Sequence, residues 1–187
     1  MEGLKQPKGE NLPEYVRSES LVKQFEQSEK YEYGSTTIEA FDIQAEKLKT
    51  ETPVFFGTGW SASRGVYEAS ILGIADRGRR VLSMFAPHGI DTDHDFGKGD
   101  KTYATAELRK AAAMLRTLEE KGVEQLDIVA HSESALWTLI IAAMHPEKIR
   151  NIVLIDPAGL IDEDTTARLA VSFCKDIVQG ALNKENL

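Results

Sequence analysis

Gly122 to Ala158 reads GVEQLDIVAHSESALWTLIIAAMHPEKIRNIVLIDPA, and its division into elements decides the fold. Leu126 to Ala130 is a short apolar run with one polar break, at Asp127, and predicts a strand. Glu133 to His145 is apolar almost all round, which predicts a buried helix. Pro146 lacks the N–H that the next helical hydrogen bond needs, so the helix stops there. Ile152 to Ile155 is a second apolar run, predicted as a buried strand. Two such strands joined by a helix make a parallel βαβ unit.

The turn between the first strand and the helix is Ala130-His131-Ser132-Glu133-Ser134. Small residues two before and two after a serine match the spacing G-x-S-x-G, in which the chain bends so sharply that bulk at either flank would meet neighbouring backbone. Ala130 and Ser134 replace both glycines, so the match is degenerate. The register is still readable. Centring the pattern on Ser134 would put Leu136 at a flank that must be small, so Ser132 is the better nucleophile and Ser134 its small neighbour.

Outward from this unit, Tyr103 to Lys121 predicts an amphipathic helix, with Leu108, Ala112, Leu115 and Leu118 on one face and Arg109, Lys110 and Glu120 outside it. Gly122 closes that helix. Arg80 to Phe85 and Pro53 to Phe56 read as further core strands, separated by a helix running from Ser61 or Ser63 to Asp76 and closed by Gly78. Lys30 to Ala45 is rich in β-formers and is punctuated by Gly34-Ser35, the pattern of a hairpin. Phe56-Gly57-Thr58-Gly59-Trp60-Ser61 leaves the C-terminal end of its strand, where two glycines permit close backbone approach to a ligand. The loop Ala86 to Asp100 carries Asp91, Asp93 and Asp95 at calcium-loop spacing, but Phe96 stands where glycine is needed and Thr102 where glutamate is needed, so no metal site is expected.

The bounds are those of an acidic globular chain. It has 187 residues, 42% of them hydrophobic, enough for one domain with its own core. A net charge of −8 argues against nucleic acid or an anionic membrane surface as a partner. Cys174 is the single cysteine and cannot form an internal disulfide, which fits a reducing, cytoplasmic compartment. No apolar run is long enough to span a membrane, and MEGLKQPKGENLPEY lacks the apolar core of a signal peptide.

Three segments, VAHSESA at the turn, IVLIDPAG at the next strand and FFGTGWSAS earlier, resemble the α/β-hydrolase superfamily of serine esterases and lipases. The resemblance runs from about Lys30 to Ile161 and implies a doubly wound, mostly parallel sheet with an N-terminal antiparallel hairpin. It divides the chain into a polar extension (1–29), the hydrolase core (30–161) and a helical segment (162–187) that would begin a lid. It also implies roles. Ser132 would attack an acyl carbon, and the backbone N–H groups of Trp60 and Glu133 would form the oxyanion hole, with Thr58-Gly59 in place of the family's His-Gly pair. The acid sits in some relatives where Asp156 stands, although the aspartate of such a LIDPAG segment is more often structural. The loop with His88 and His94 leaves the C-terminal edge of the sheet, where a catalytic histidine is conceivable, but Pro87-His88-Gly89 is close to a segment that is structural in the family.

The histidine that normally acts as base follows later strands in the family, and no histidine follows His145 here. His131 adjoins Ser132, with the bend directing the two side chains apart, and His145 lies at the far end of the helix. The sequence therefore reads as the first two-thirds of a hydrolase. Its substrate would be a carboxylic ester or a related small acyl compound, without metal or cofactor. The alternative is a non-catalytic binding module of the same fold. In either case the Ile152 to Ile155 strand would be an apolar sheet edge, open to self-association.

Overall fold

The computed structural model describes residues 18–33, 36–60, 64–85, 104–159 and 171. The chain divides into two compact units, 1–157 and 158–187. The predicted hairpin tip at Gly34-Ser35, the helix start at Ser61 and Ser63, the loop carrying His88 and His94, and nearly all of the 162–187 segment lie outside the described residues.

The first unit is a six-stranded sheet with helices on both faces. In chain order the elements are α1 (Glu19–Glu26), β1 (Glu29–Tyr33), β2 (Thr36–Gln44), β3 (Val54–Gly57), α2 (Arg64–Asp76), β4 (Arg80–Phe85), α3 (Ala104–Glu120), β5 (Leu126–His131), α4 (Ser134–Met144) and β6 (Ile149–Ile155). The strand order is β1-β2-β4-β3-β5-β6. β1 pairs with β2, and β2 with β4, antiparallel. The pairs β4–β3, β3–β5 and β5–β6 are parallel. This is the doubly wound, mostly parallel architecture that the βαβ unit implies.

The period-2 alternation of side chains sorts the core into two layers. Ile38, Phe55, Leu82 and Ile128 meet Met114 and Leu118 of α3 and Trp137 and Ile141 of α4. Phe41, Phe56 and Val81 turn the other way, onto Leu21 and Phe25 of α1 and Tyr67, Ile71 and Leu72 of α2. Adjacent residues Phe55 and Phe56 thus serve opposite layers, each against one aromatic ring, Trp137 and Tyr67. Each such fully buried side chain contributes roughly 1.5–3 kcal/mol.

Helix α1, within the stretch that reads as a polar extension, buries Leu21 and Phe25, and Phe25 stacks on Phe41. Helix α3 ends as its glycine predicts. Gly122 takes φ 61°, its N–H reaches the Glu119 carbonyl, and the Val123 N–H reaches that of Leu118.

Three expectations are corrected. The buried stripe of α3 is Lys110, Ala111, Ala113, Met114, Thr117 and Leu118, so Lys110 lies inside. Helix α4 is buried along one side only, at Ser134, Ala135, Trp137, Thr138 and Ile141. In β6, Val153 and Ile155 are 54% and 41% exposed: they share one face of the strand, opposite Ile152 and Leu154, which pack against the core.

Candidate active site

The site forms where the parallel strands end, the edge at which folds of this kind place ligands. β5 delivers His131, the chain turns through Ser132 and Glu133, and α4 begins at Ser134. Ser132 has φ 56°, in the left-handed region that L-residues other than glycine rarely enter. Its N–H donates to the Ile155 carbonyl at 3.0 Å, so pairing with β6 continues into the turn. The N–H groups of Ala135 and Leu136 then close onto the carbonyls of Ser132 and Glu133. A non-glycine residue held in this conformation is strained, and the surrounding pairing holds it there.

Ser134 is fully buried, and its hydroxyl donates to the His131 carbonyl at 2.9 Å. It is shut off from any substrate and acts as a local staple of the turn. Gly57 is shaped to it: a Cβ on Gly57 would lie 2.7 Å from both Cβ and Oγ of Ser134. A Cβ on Gly59 would lie 2.8 Å from the Tyr67 hydroxyl, 3.0 Å from Nδ1 of His131 and 3.2 Å from Cβ of Ser132. The two glycines that read as room for a ligand first of all make room for the turn itself.

Tyr67, on α2, ties these parts together. Its hydroxyl accepts the Gly59 N–H at 2.9 Å and lies 2.8 Å from Nδ1 of His131. The loop after β3 and the residue before Ser132 are thereby fixed to one phenol. The Gly59 amide is thus engaged, and the next residue, Trp60, is 61% exposed.

Glu133 lies at the N-cap of α4 but makes no cap bond with its side chain. Its carboxylate instead meets Nζ of Lys110 at 2.5 Å, and Lys110 also lies 3.7 Å from Glu107. Burial pushes the Glu107 carboxyl above the usual glutamate range; Lys110 opposes this, and the Glu133 charge adds to it.

The structure brings Ser132, Glu133, the Gly59–Trp60 loop and the end of β6 to one place. Asp156 follows β6 directly, is exposed, and has φ 43°. Among the described residues its carboxylate has no hydrogen-bond or ion-pair partner, and neither has the Ser132 hydroxyl. His145 caps the far end of α4, 3.4 Å from Glu147. Among the described residues, no group of three or more His, Cys, Asp or Glu could hold a metal ion.

Tyr67 and Lys110 are the site-supporting residues that the sequence reading passes over. Lys110 has a legible signal, since 110, 113, 114, 117 and 118 form one helical face. Tyr67 has none, because its partners are 8 and 64 residues away.

No model of a known protein family matches the chain. An inferred non-heme haloperoxidase of Mycobacterium phage D29 is 29% identical over 126 residues, 65% of this chain and 41% of that one. A probable hydrolytic enzyme of Pseudomonas aeruginosa superposes with a TM-score of 0.57 at 21% identity, covering 73% of this chain and 42% of that one. An α/β-hydrolase fold protein of Chitinophaga pinensis gives 0.51 at 16% identity, covering 68% and 42%. The fold of this chain is the α/β-hydrolase fold. The chain spans about two fifths of the length of each of these three proteins. Among the described residues no helix is long and apolar enough to cross a membrane.

Proposed function

We propose that this chain carries the nucleophile and oxyanion elements of a serine hydrolase acting on a carboxylic ester or a related small acyl compound. The observation that carries the reading is Ser132: a serine at φ 56°, between the end of an interior parallel strand and the start of a helix. Strain of this kind presents a side chain above the sheet edge and persists where surrounding structure enforces it. Ser132 Oγ attacks the acyl carbon, and its proton passes to a base. The amides of Trp60 and Glu133 take the charge that develops on the carbonyl oxygen. The alkoxide leaves with a proton, and water completes the turnover of the acyl-serine. Asp156, beside Ile155 at the same sheet edge, is the candidate acid. The relatives named for hydrolytic and haloperoxidase activities support acyl or related small-molecule chemistry. No cofactor, metal or nucleic acid enters the scheme, and the single cysteine fits a reducing compartment such as the cytoplasm.

One observation favours the second reading, a binding module of the same fold. Among the described residues no histidine reaches Ser132 Oγ, and a serine without a base keeps its proton. Incubation with p-nitrophenyl acetate separates the two. The hydrolase reading expects an acetyl adduct on the peptide containing Ser132, and none in Ser132→Ala. An unmodified Ser132 after prolonged incubation supports the module.

A further inference from the structure

We propose that Lys110 is a positioning residue for the oxyanion donor at Glu133, holding that residue's carboxylate away from the place where negative charge develops. The proposal rests on reading Ser132 as nucleophile and the Glu133 amide as donor. Glu133 stands at the start of α4, where unpaired amides and the helix dipole attract negative charge. A glutamate there is a competitor for the oxyanion. Its own carboxylate can come within roughly 4–5 Å of its own amide, close enough to repel an oxyanion forming on that amide. Yet Glu133 makes no cap bond. Its carboxylate is drawn sideways to Nζ of Lys110, 2.5 Å away.

Lys110 is only 9% exposed. Taking an ammonium out of water is costly, and an apolar residue of similar volume would serve α3 packing equally well or better. Packing alone therefore does not account for a lysine at this place. Glu107, one turn earlier on α3, lies 3.7 Å from the same Nζ and has one carboxyl oxygen buried without a hydrogen-bond partner among the described residues. Its burial favours the neutral form. Of its two carboxylate neighbours, Nζ of Lys110 lies closer to Glu133, at 2.5 Å, than to Glu107, at 3.7 Å, so its charge chiefly offsets that of Glu133.

The test measures the second-order rate of Ser132 phosphonylation by a fluorophosphonate, read by intact mass and peptide mapping, with circular dichroism to establish folding. The 187-residue chain, Lys110→Met and Lys110→Met/Glu133→Gln are compared. Lys110→Met should react about tenfold more slowly, less than the loss on deleting an oxyanion donor outright. The double variant, having lost the stranded charge, should react at least threefold faster than Lys110→Met. Should Lys110→Met fail to fold, Lys110→Gln is read in its place. It can still hydrogen-bond Glu133 without neutralising it, and the same slowing is expected. A folded single variant reacting at the rate of the unmodified chain, or a double variant no faster than the single, overturns the proposal while leaving the nucleophile reading intact. Absence of any Ser132 adduct in the unmodified chain removes the nucleophile reading, and this proposal with it.

Discussion

At the scale of single residues, Ser132 holds strain that its side chain does not need for folding. A left-handed L-residue costs roughly 1–2 kcal/mol, and glycine carries little of that cost. Ser132→Gly should therefore raise stability by about 1 kcal/mol while abolishing acyl transfer; Ser132→Ala should abolish it with little change in stability. Urea denaturation of the three proteins checks this, and a Ser132→Gly variant less stable than Ser132→Ala would show that the turn is not strained. Tyr67 makes the complementary case. Tyr67→Phe leaves the Gly59 N–H and Nδ1 of His131 without their shared partner. The Gly59 donor is partly buried, so leaving it unpaired should cost about 1 kcal/mol, the low end for an unsatisfied group. An unchanged denaturation midpoint would mean that water replaces the phenol. The tight strand–helix turn at Ser132 was legible in the sequence because small flanks at fixed spacing are a local signal. Tyr67 was not, because a phenol joining α2 to two distant turns leaves no local trace.

At the scale of elements, the strands and helices flanking the turn fit one another through Gly57. Its φ is not in the left-handed region, so the need for glycine there is purely steric. Gly57→Ala should cost roughly 1–3 kcal/mol by overpacking, and Gly57→Ala/Ser134→Gly should recover part of that. A neutral Gly57→Ala would show that α4 can move. The opposite end of β5 is held by charge. Asp127 accepts from Arg150 in two bonds, and from Arg79 and Asn151. The Arg150 guanidinium, helped by Arg79 and Asn151, holds the Asp127 carboxyl well below the usual aspartate range, although burial works against it. A lowered folded-state pKa means that the unfolded chain binds the proton first. The stabilisation is therefore complete above the ordinary aspartate pKa and is lost as pH falls from there toward the folded value. Asp127→Asn should be less stable at pH 7, and the gap should shrink below about pH 4; a gap constant down to pH 3 would place its origin in packing. The sequence reading recognised β5 from its apolar run and treated Asp127 as a mere interruption, since its partners lie on other elements. It likewise set Lys110 outside α3, because charge outweighed periodicity in choosing the face.

At the scale of the whole molecule, element order and sheet direction were readable because each strand, turn and helix is signalled locally and the parallel connections allow few arrangements. Val153 and Ile155 are exposed on one face of β6, and among the described residues that strand is paired on one side only. An apolar strand edge of this kind is a template for pairing. The isolated 187-residue chain should therefore show a concentration-dependent mass by size-exclusion chromatography with light scattering. A monomer at all concentrations, unfolding cooperatively and binding no hydrophobic dye, would show that the edge is covered. The central claim, that Ser132 is a nucleophile at a strained strand–helix turn, is tested most directly by mapping the site of fluorophosphonate attachment. The account predicts an adduct at Ser132 that is lost in Ser132→Ala and retained in Ser134→Ala; an adduct that survives Ser132→Ala and disappears in Ser134→Ala would contradict it.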